Sequence, residues 1–293
     1  MFLEFPEIEK VEIDKTKISS FHSESEFMGL TVKLLVEVGS YLIMAGNFYL
    51  EENREWTRND AIVVGHAVRL YKIISAMLDQ TCQLRREISF MMARLAFECN
   101  VNLRYFLKNH SNSEVFNSYV QYSLQHERKL FKLIKQNISD RGGEPLPIEK
   151  RMMESIEKSF KASNLDSNAE YPKIKNWGGE SLFDKARSLG LDELYLVAFG
   201  GGSHTIHGNW QDLLEYHLIT EENTFRPNFE WHLPRPQVLN VTAYISVDTI
   251  IDYLNWLFES RPPDYLVEKL VDLKSRINLI EELHENFLRK INQ

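Results

Sequence analysis

The chain of 293 residues is acidic, with a formal net charge of −8 and a pI near 5.7, and 43% of its residues are hydrophobic. That apolar content is enough for a large buried core and excludes general disorder. The charge balance opposes unspecific attraction to phosphate backbones, so nucleic acid is disfavoured as a partner.

Residues 1–23 read as an extended N-terminal segment, and the first seven are acidic where an export signal would be basic. Helical spacing follows over residues 24–49. The most apolar part of that helix, residues 30–45, contains Lys33 and Glu37 and reads as buried in protein, so no membrane span is expected. A second helix begins at Thr57-Arg58-Asn59-Asp60, which has the form of a capping box with Asp in place of Glu, and runs to residue 83. The third, over 86–108, is apolar on nearly every face, which predicts a place in the middle of a bundle. Ser111-Asn112-Ser113 precedes a fourth helix that ends at the turn Ser139-Asp140-Arg141-Gly142-Gly143. A fifth covers 147–163, and residues 164–179 form a polar surface loop.

Further helices are predicted over 181–189 and 192–217. Between 219 and 236 the pattern fails, and Thr224-Phe225-Arg226-Pro227 suggests a loop or hairpin. Two long helices, 237–259 and 264–291, flank Arg261-Pro262-Pro263. The fold class is therefore all-α: a multi-helix up-down bundle with a small irregular or hairpin insertion near 219–236. The expected division is an extended segment 1–23, a bundle core 24–220, a loop or hairpin 221–236 and a C-terminal helical hairpin 237–293 packed on the core. Cys82 and Cys99 are widely spaced and suit reduced thiols, which points to a cytoplasmic location.

Two constellations carry chemistry. In the third helix Arg94 and Glu98 lie four residues apart on one face, where buried charges need partners. Their alternatives are structural glue and the back wall of a site. The second is Gly200-Gly201-Gly202-Ser203-His204-Thr205-Ile206-His207, followed by Gly208 and Asn209. Within a helix, Ser203 and His207 share a face, and the missing side chains admit a second helix or a ligand. The segment lacks the Lys-Ser/Thr of a Walker loop and the preceding strand of a dinucleotide fingerprint.

His204 and His207 lie one turn apart, with Glu215 and His217 downstream, a spacing that raises metal ligation. Neither a zinc-protease motif nor a second Glu-x-x-His helix to match Glu281 and His284 is present, so no metal ligands are assigned. His284 falls on the apolar seam of the last helix, where packing is the plainer role. Arg104 to His110 and Arg226 to His232 fit a ribonuclease-like Arg-x4-6-His spacing, but about one or two such matches arise by chance.

Met92-Ala93-Arg94-Leu95-Ala96-Phe97-Glu98, Asn102-Leu103-Arg104-Tyr105-Phe106-Leu107, Tyr195 and Ser203-x-x-x-His207-Gly208 together resemble the bacterial family of domains of unknown function numbered fifty-six seventy-seven. The likeness spans about residues 30–220. It implies a helical bundle without an assigned activity, and it implies that the two polar constellations meet in space.

The resulting candidates are His207, Ser203, Arg94, Glu98 and Tyr195 as catalytic residues, with Gly201, Gly202, His204 and Asn209 as ligand-binding residues. His207 would serve as acid or base, and Arg94 would hold an anionic, nucleotide-like small molecule. The cofactor is unknown. Competing readings are an interaction protein that self-associates as a homodimer through its terminal amphipathic helix, and a helical ribonuclease-like defence protein.

Overall fold

The computed structural model describes residues 7–48, 56–222 and 224–291, and of residues 197 and 200–202 the backbone alone. It is an all-α helical bundle with one small hairpin. The helices are α1 (Lys15–Ile18), α2 (Glu24–Gly46), α3 (Arg58–Cys82), α4 (Arg86–Lys108), α5 (Ser113–Ser123), α6 (Gln125–Asp140), α7 (Pro147–Ala162), α8 (Leu182–Ser188), α9 (Asp192–Leu194), α10 (Gly201–His207), α11 (Trp210–Asp212), α12 (Pro236–Leu257) and α13 (Asp264–Ile291). Strands β1 (Leu218–Glu221) and β2 (Thr224–Pro227) pair antiparallel, with Ile219 opposite Arg226.

The chain divides into two compact units: Met1–Glu55, Val63–Lys108 and Leu182–Gln293 in one, Trp56–Ile62 and Asn109–Ser181 in the other. In the larger unit α12 packs against α2, α4 and α13. Their inward faces are closed by side chains such as Leu34, Leu35, Phe106, Ile250, Leu254 and Leu270, all fully buried. Burial of this kind contributes about 1.5–3 kcal/mol per large apolar side chain. The apolar stripe of α13, Leu266, Leu270, Leu273, Ile277 and Ile280, is covered within the chain itself, and His284 completes it with its ring 4.9 Å from that of Phe27.

Two polar contacts tie the helices of this core together. Asn100 donates to Ala96 O at 2.9 Å and Ser246 Oγ at 3.2 Å, and it accepts from Thr249 Oγ1 at 2.6 Å, which joins α4 to α12. Arg276 of α13 makes a two-pronged contact with Glu37 of α2, at 2.7 and 2.6 Å.

The smaller unit has its own core of Phe131, Ile134, Ile156 and Phe160 between α6 and α7. Gln125 fastens the loop that follows: its Nε2 donates to Ile174 O at 3.0 Å, and Ile174 N donates to its Oε1 at 2.8 Å. Amphipathic helices that bury their stripes against each other in this way give residues 109–181 a core of their own.

The capping box forms as read, with Thr57 N donating to Asp60 Oδ2 at 3.0 Å and Asp60 N donating to Thr57 Oγ1 at 3.2 Å. Three local differences have physical causes. The extended start contains α1, because the Asp14 carboxylate accepts from the Thr16 and Lys17 amides and so caps a turn. The fourth helix is two helices, interrupted at Leu124, whose φ of −89° and ψ of 3° leave the helical region. The helix expected over 192–217 is interrupted by two π-helical turns, Tyr195–Gly200 and Leu213–His217. The expected end of the first helix at residue 49 lies outside the described residues.

Helices α2 and α3 are long and apolar enough to cross a membrane, with 56% and 39% of their most apolar windows buried in the fold. Core helices of water-soluble proteins meet the same criterion.

Candidate functional site

Helix α10 lies against α4, and so does the π-helical turn Tyr195–Gly200 that leads into it. This brings Ser203 to Arg94: Arg94 Nε donates to Ser203 Oγ at 3.1 Å, and Ser203 Oγ donates to Phe199 O at 2.9 Å. The Arg94 guanidinium lies 4.1 Å from the centre of the Phe199 ring, a cation–π distance. Phe199 in turn stacks on Tyr195, with centroids 4.8 Å apart and 24° between planes, and Phe97 closes against both. Ser203 and an aromatic stack thus hold one edge and one face of a half-buried arginine.

Arg94 and Glu98 share a face of α4, yet no ion pair joins them among the described residues; both are half-buried, and Arg94 turns to Ser203 instead. Tyr195 contributes its ring to the cluster around Phe97, Leu191 and Ile245. The Asn209 amide meets His204 Nδ1, and its Oδ1 accepts from Asp212 N at 3.1 Å, so one side chain both caps α11 and fixes the His204 ring. His207 is exposed at the end of α10 and makes no hydrogen bond to Ser203, whose hydroxyl is engaged at Phe199 O. The backbone of Gly201 and Gly202 forms the first turn of α10.

Cys99 offers no nucleophile. It is 2% exposed, its Sγ lies 3.4 Å from His66 O, and burial pushes its thiol up to about 12.

A second group lies nearer the start of α4. Glu87 from the first turn of α4, Asp212 from α11 and His217 from the end of the π-helical turn each present a ligand-type atom, all within 4.8 Å of one another. His217 Nε2 is 3.3 Å from Glu87 Oε1 and 3.5 Å from Asp212 Oδ2. The Glu87 and Asp212 side chains are 13% and 2% exposed, and Asp212 Oδ1 is buried with no hydrogen-bond partner among the described residues. The loop after the hairpin holds this corner together: Asn228 N donates to His217 O at 2.8 Å, and Arg86 N donates to His232 O at 3.1 Å. Sequence reasoning reached His217 but grouped it with His204, His207 and Glu215. Glu215 instead pairs with Arg86 at 3.4 Å and Arg235 at 3.8 Å. The available signal for Glu87 is its place seven residues before Arg94, on the same face of α4.

No curated protein and no solved structure matches the chain. The model of a family of unknown function, DUF5677, matches residues 60–225, a span that includes α4, the glycine-rich helix and both polar groups. The chain belongs to the DUF5677 family.

Proposed function

We propose that the protein binds a phosphorylated small molecule, of nucleotide type, through Arg94 on the face of α4 that meets α10. The observation that carries this reading is the state of Arg94: its Nε is bound by Ser203 and its face by Phe199, while no described carboxylate pairs with it. A guanidinium so fixed keeps its terminal nitrogens for an anion, and its planar fork matches two phosphate oxygens. The absence of side chains on Gly201 and Gly202 lets a ligand approach the backbone. His204 is held through Nδ1 by Asn209, and His207 is exposed at the end of α10. The proposed location is the cytoplasm, where such ligands are abundant. For the docking-helix alternative, the apolar stripe of α13 is already covered by α2 and α12.

The test is a thermal-shift screen of nucleoside phosphates and inorganic phosphate on wild type, Arg94→Ala and Ser203→Ala. A ligand that raises the wild-type Tm should leave Arg94→Ala unmoved and shift Ser203→Ala less. The reading fails if no phosphorylated compound stabilises the wild type. It also fails if Arg94→Ala itself costs about 2–5 kcal/mol, the size of a core truncation, since Arg94 would then be a packing residue.

A further inference from the structure

We propose that Glu87, Asp212 and His217 form a binding site for one divalent transition-metal ion of the Zn²⁺ or Mn²⁺ type, separate from the anion site at Arg94. Its geometry is independent of Arg94, and the two assignments stand or fall separately.

The spacing of the three groups suits a shared ion better than direct pairing. Charge-assisted hydrogen bonds between an imidazolium and a carboxylate close to about 2.7–2.9 Å. The two contacts of His217 Nε2 are instead 3.3 and 3.5 Å. Nitrogen and oxygen ligands about 2.1 Å from a tetrahedral ion lie about 3.4 Å from each other, so both separations match the edges of such a polyhedron.

Charge and burial point the same way. Two carboxylates are brought to one place with little solvent around them, and Asp212 keeps a buried Oδ1 that no group among the described residues satisfies. A buried carboxylate with one oxygen unsatisfied is costly, and a cation held at Oδ2 would compensate the charge that the two oxygens share. Arg86 and Arg235 do not ion-pair with Glu87 or Asp212; both turn to Glu215.

The backbone supplies the reason these residues converge. In a regular α-helix, residues five apart point about 140° away from each other. The π-helical turn Leu213–His217 has i→i+5 hydrogen bonding, which widens the helix and carries His217 round towards Asp212. One imidazole and two carboxylates leave coordination positions open for water or a ligand, the pattern of reactive rather than purely structural metal sites.

The test uses the full-length protein after dialysis against a chelator. Zn²⁺ binding is followed by titration calorimetry and Mn²⁺ binding by electron paramagnetic resonance, with circular dichroism to verify folding. The expected result is one ion per chain for wild type and for His126→Ala, which removes an exposed histidine remote in sequence from the site. Asp212→Asn and Glu87→Gln should each weaken binding by more than about tenfold. If Asp212→Asn fails to fold, Glu87→Gln carries the comparison. Absence of saturable binding to wild type overturns the proposal, as does wild-type affinity in a folded Asp212→Asn or Glu87→Gln protein. Phosphate binding that survives in the metal-site variants leaves the Arg94 reading intact, so the failures are distinguishable.

Discussion

Replacing Arg276 with Met should be among the most damaging single changes in the larger unit. The Arg276 and Glu37 side chains are 9% and 2% exposed, and the guanidinium meets both carboxylate oxygens while also donating to Val11 O at 3.0 Å. Without Arg276, Glu37 retains the Val11 amide at 3.0 Å as its hydrogen-bond donor and becomes a buried charge without a counterion. Breaking a buried pair in this way costs about 3–5 kcal/mol. Glu37→Leu should cost less, because Asp272 still holds Arg276 Nε at 2.8 Å and the Val11 carbonyl remains. The double variant Glu37→Leu/Arg276→Met should recover much of the loss, since an apolar pair of similar volume removes both desolvation penalties. Urea unfolding at constant slope reads each ΔΔG and the coupling between the sites. A loss below about 1 kcal/mol for Arg276→Met, or strict additivity in the double variant, would refute the reasoning.

Three further outcomes are expected. At pH 8 one thiol per native chain should react rapidly with a disulfide reagent: Cys82 is exposed, whereas Cys99, with its pKa pushed to about 12, stays a protonated thiol and reacts only on unfolding. The sign follows from the raised value, so Cys99 should remain slow at every pH at which the fold is intact. Phe106→Ala should cost about 3–5 kcal/mol in chemical denaturation, because its side chain is fully buried and leaves a cavity. Asn100→Ala should cost about 1–3 kcal/mol by removing the bonds that join α4 to α12: Ser246 Oγ loses the Asn100 amide, and Thr249 Oγ1 keeps only Ile245 O at 3.0 Å.

Much of the fold was legible because it depends on local pattern. The bounds of α4 and α13 coincide with the limits of their apolar repeats, and the Thr57 to Asp60 cap forms by contacts between near neighbours. The hairpin could be located from the failure of helical spacing and the Pro227 that ends it. The break at Leu124 was not visible, since Tyr119, Leu124 and Leu130 continue a plausible helical rhythm across it. The separate core of residues 109–181 was hidden for the same reason: spacing shows that a helix has an apolar face, but not which face covers it.

The sites were legible only in part. Arg94 and Ser203 could each be singled out as polar residues in unusual surroundings, and they meet at 3.1 Å. Glu98 and His207 were grouped with them by helical spacing and by the family pattern, and neither says where a side chain turns. The meeting of Glu87, Asp212 and His217 was out of reach, because it depends on a π-helical turn that changes the angular register between Asp212 and His217. The residue spacing over 210–217 does not mark such a turn in advance.

Glu87 and Arg94 lie seven residues apart on α4, a rise of about 10.5 Å along one face. An ion at the first and a phosphate at the second would therefore occupy the same side of the helix. The most direct measurement of the central claim is a crystal structure of the protein grown with the phosphorylated compound that stabilises it best. The account expects phosphate oxygens within about 2.7–2.9 Å of the terminal nitrogens of Arg94, with Ser203 still bound at Nε. A ligand bound elsewhere, with Arg94 closed onto Glu98, would contradict it.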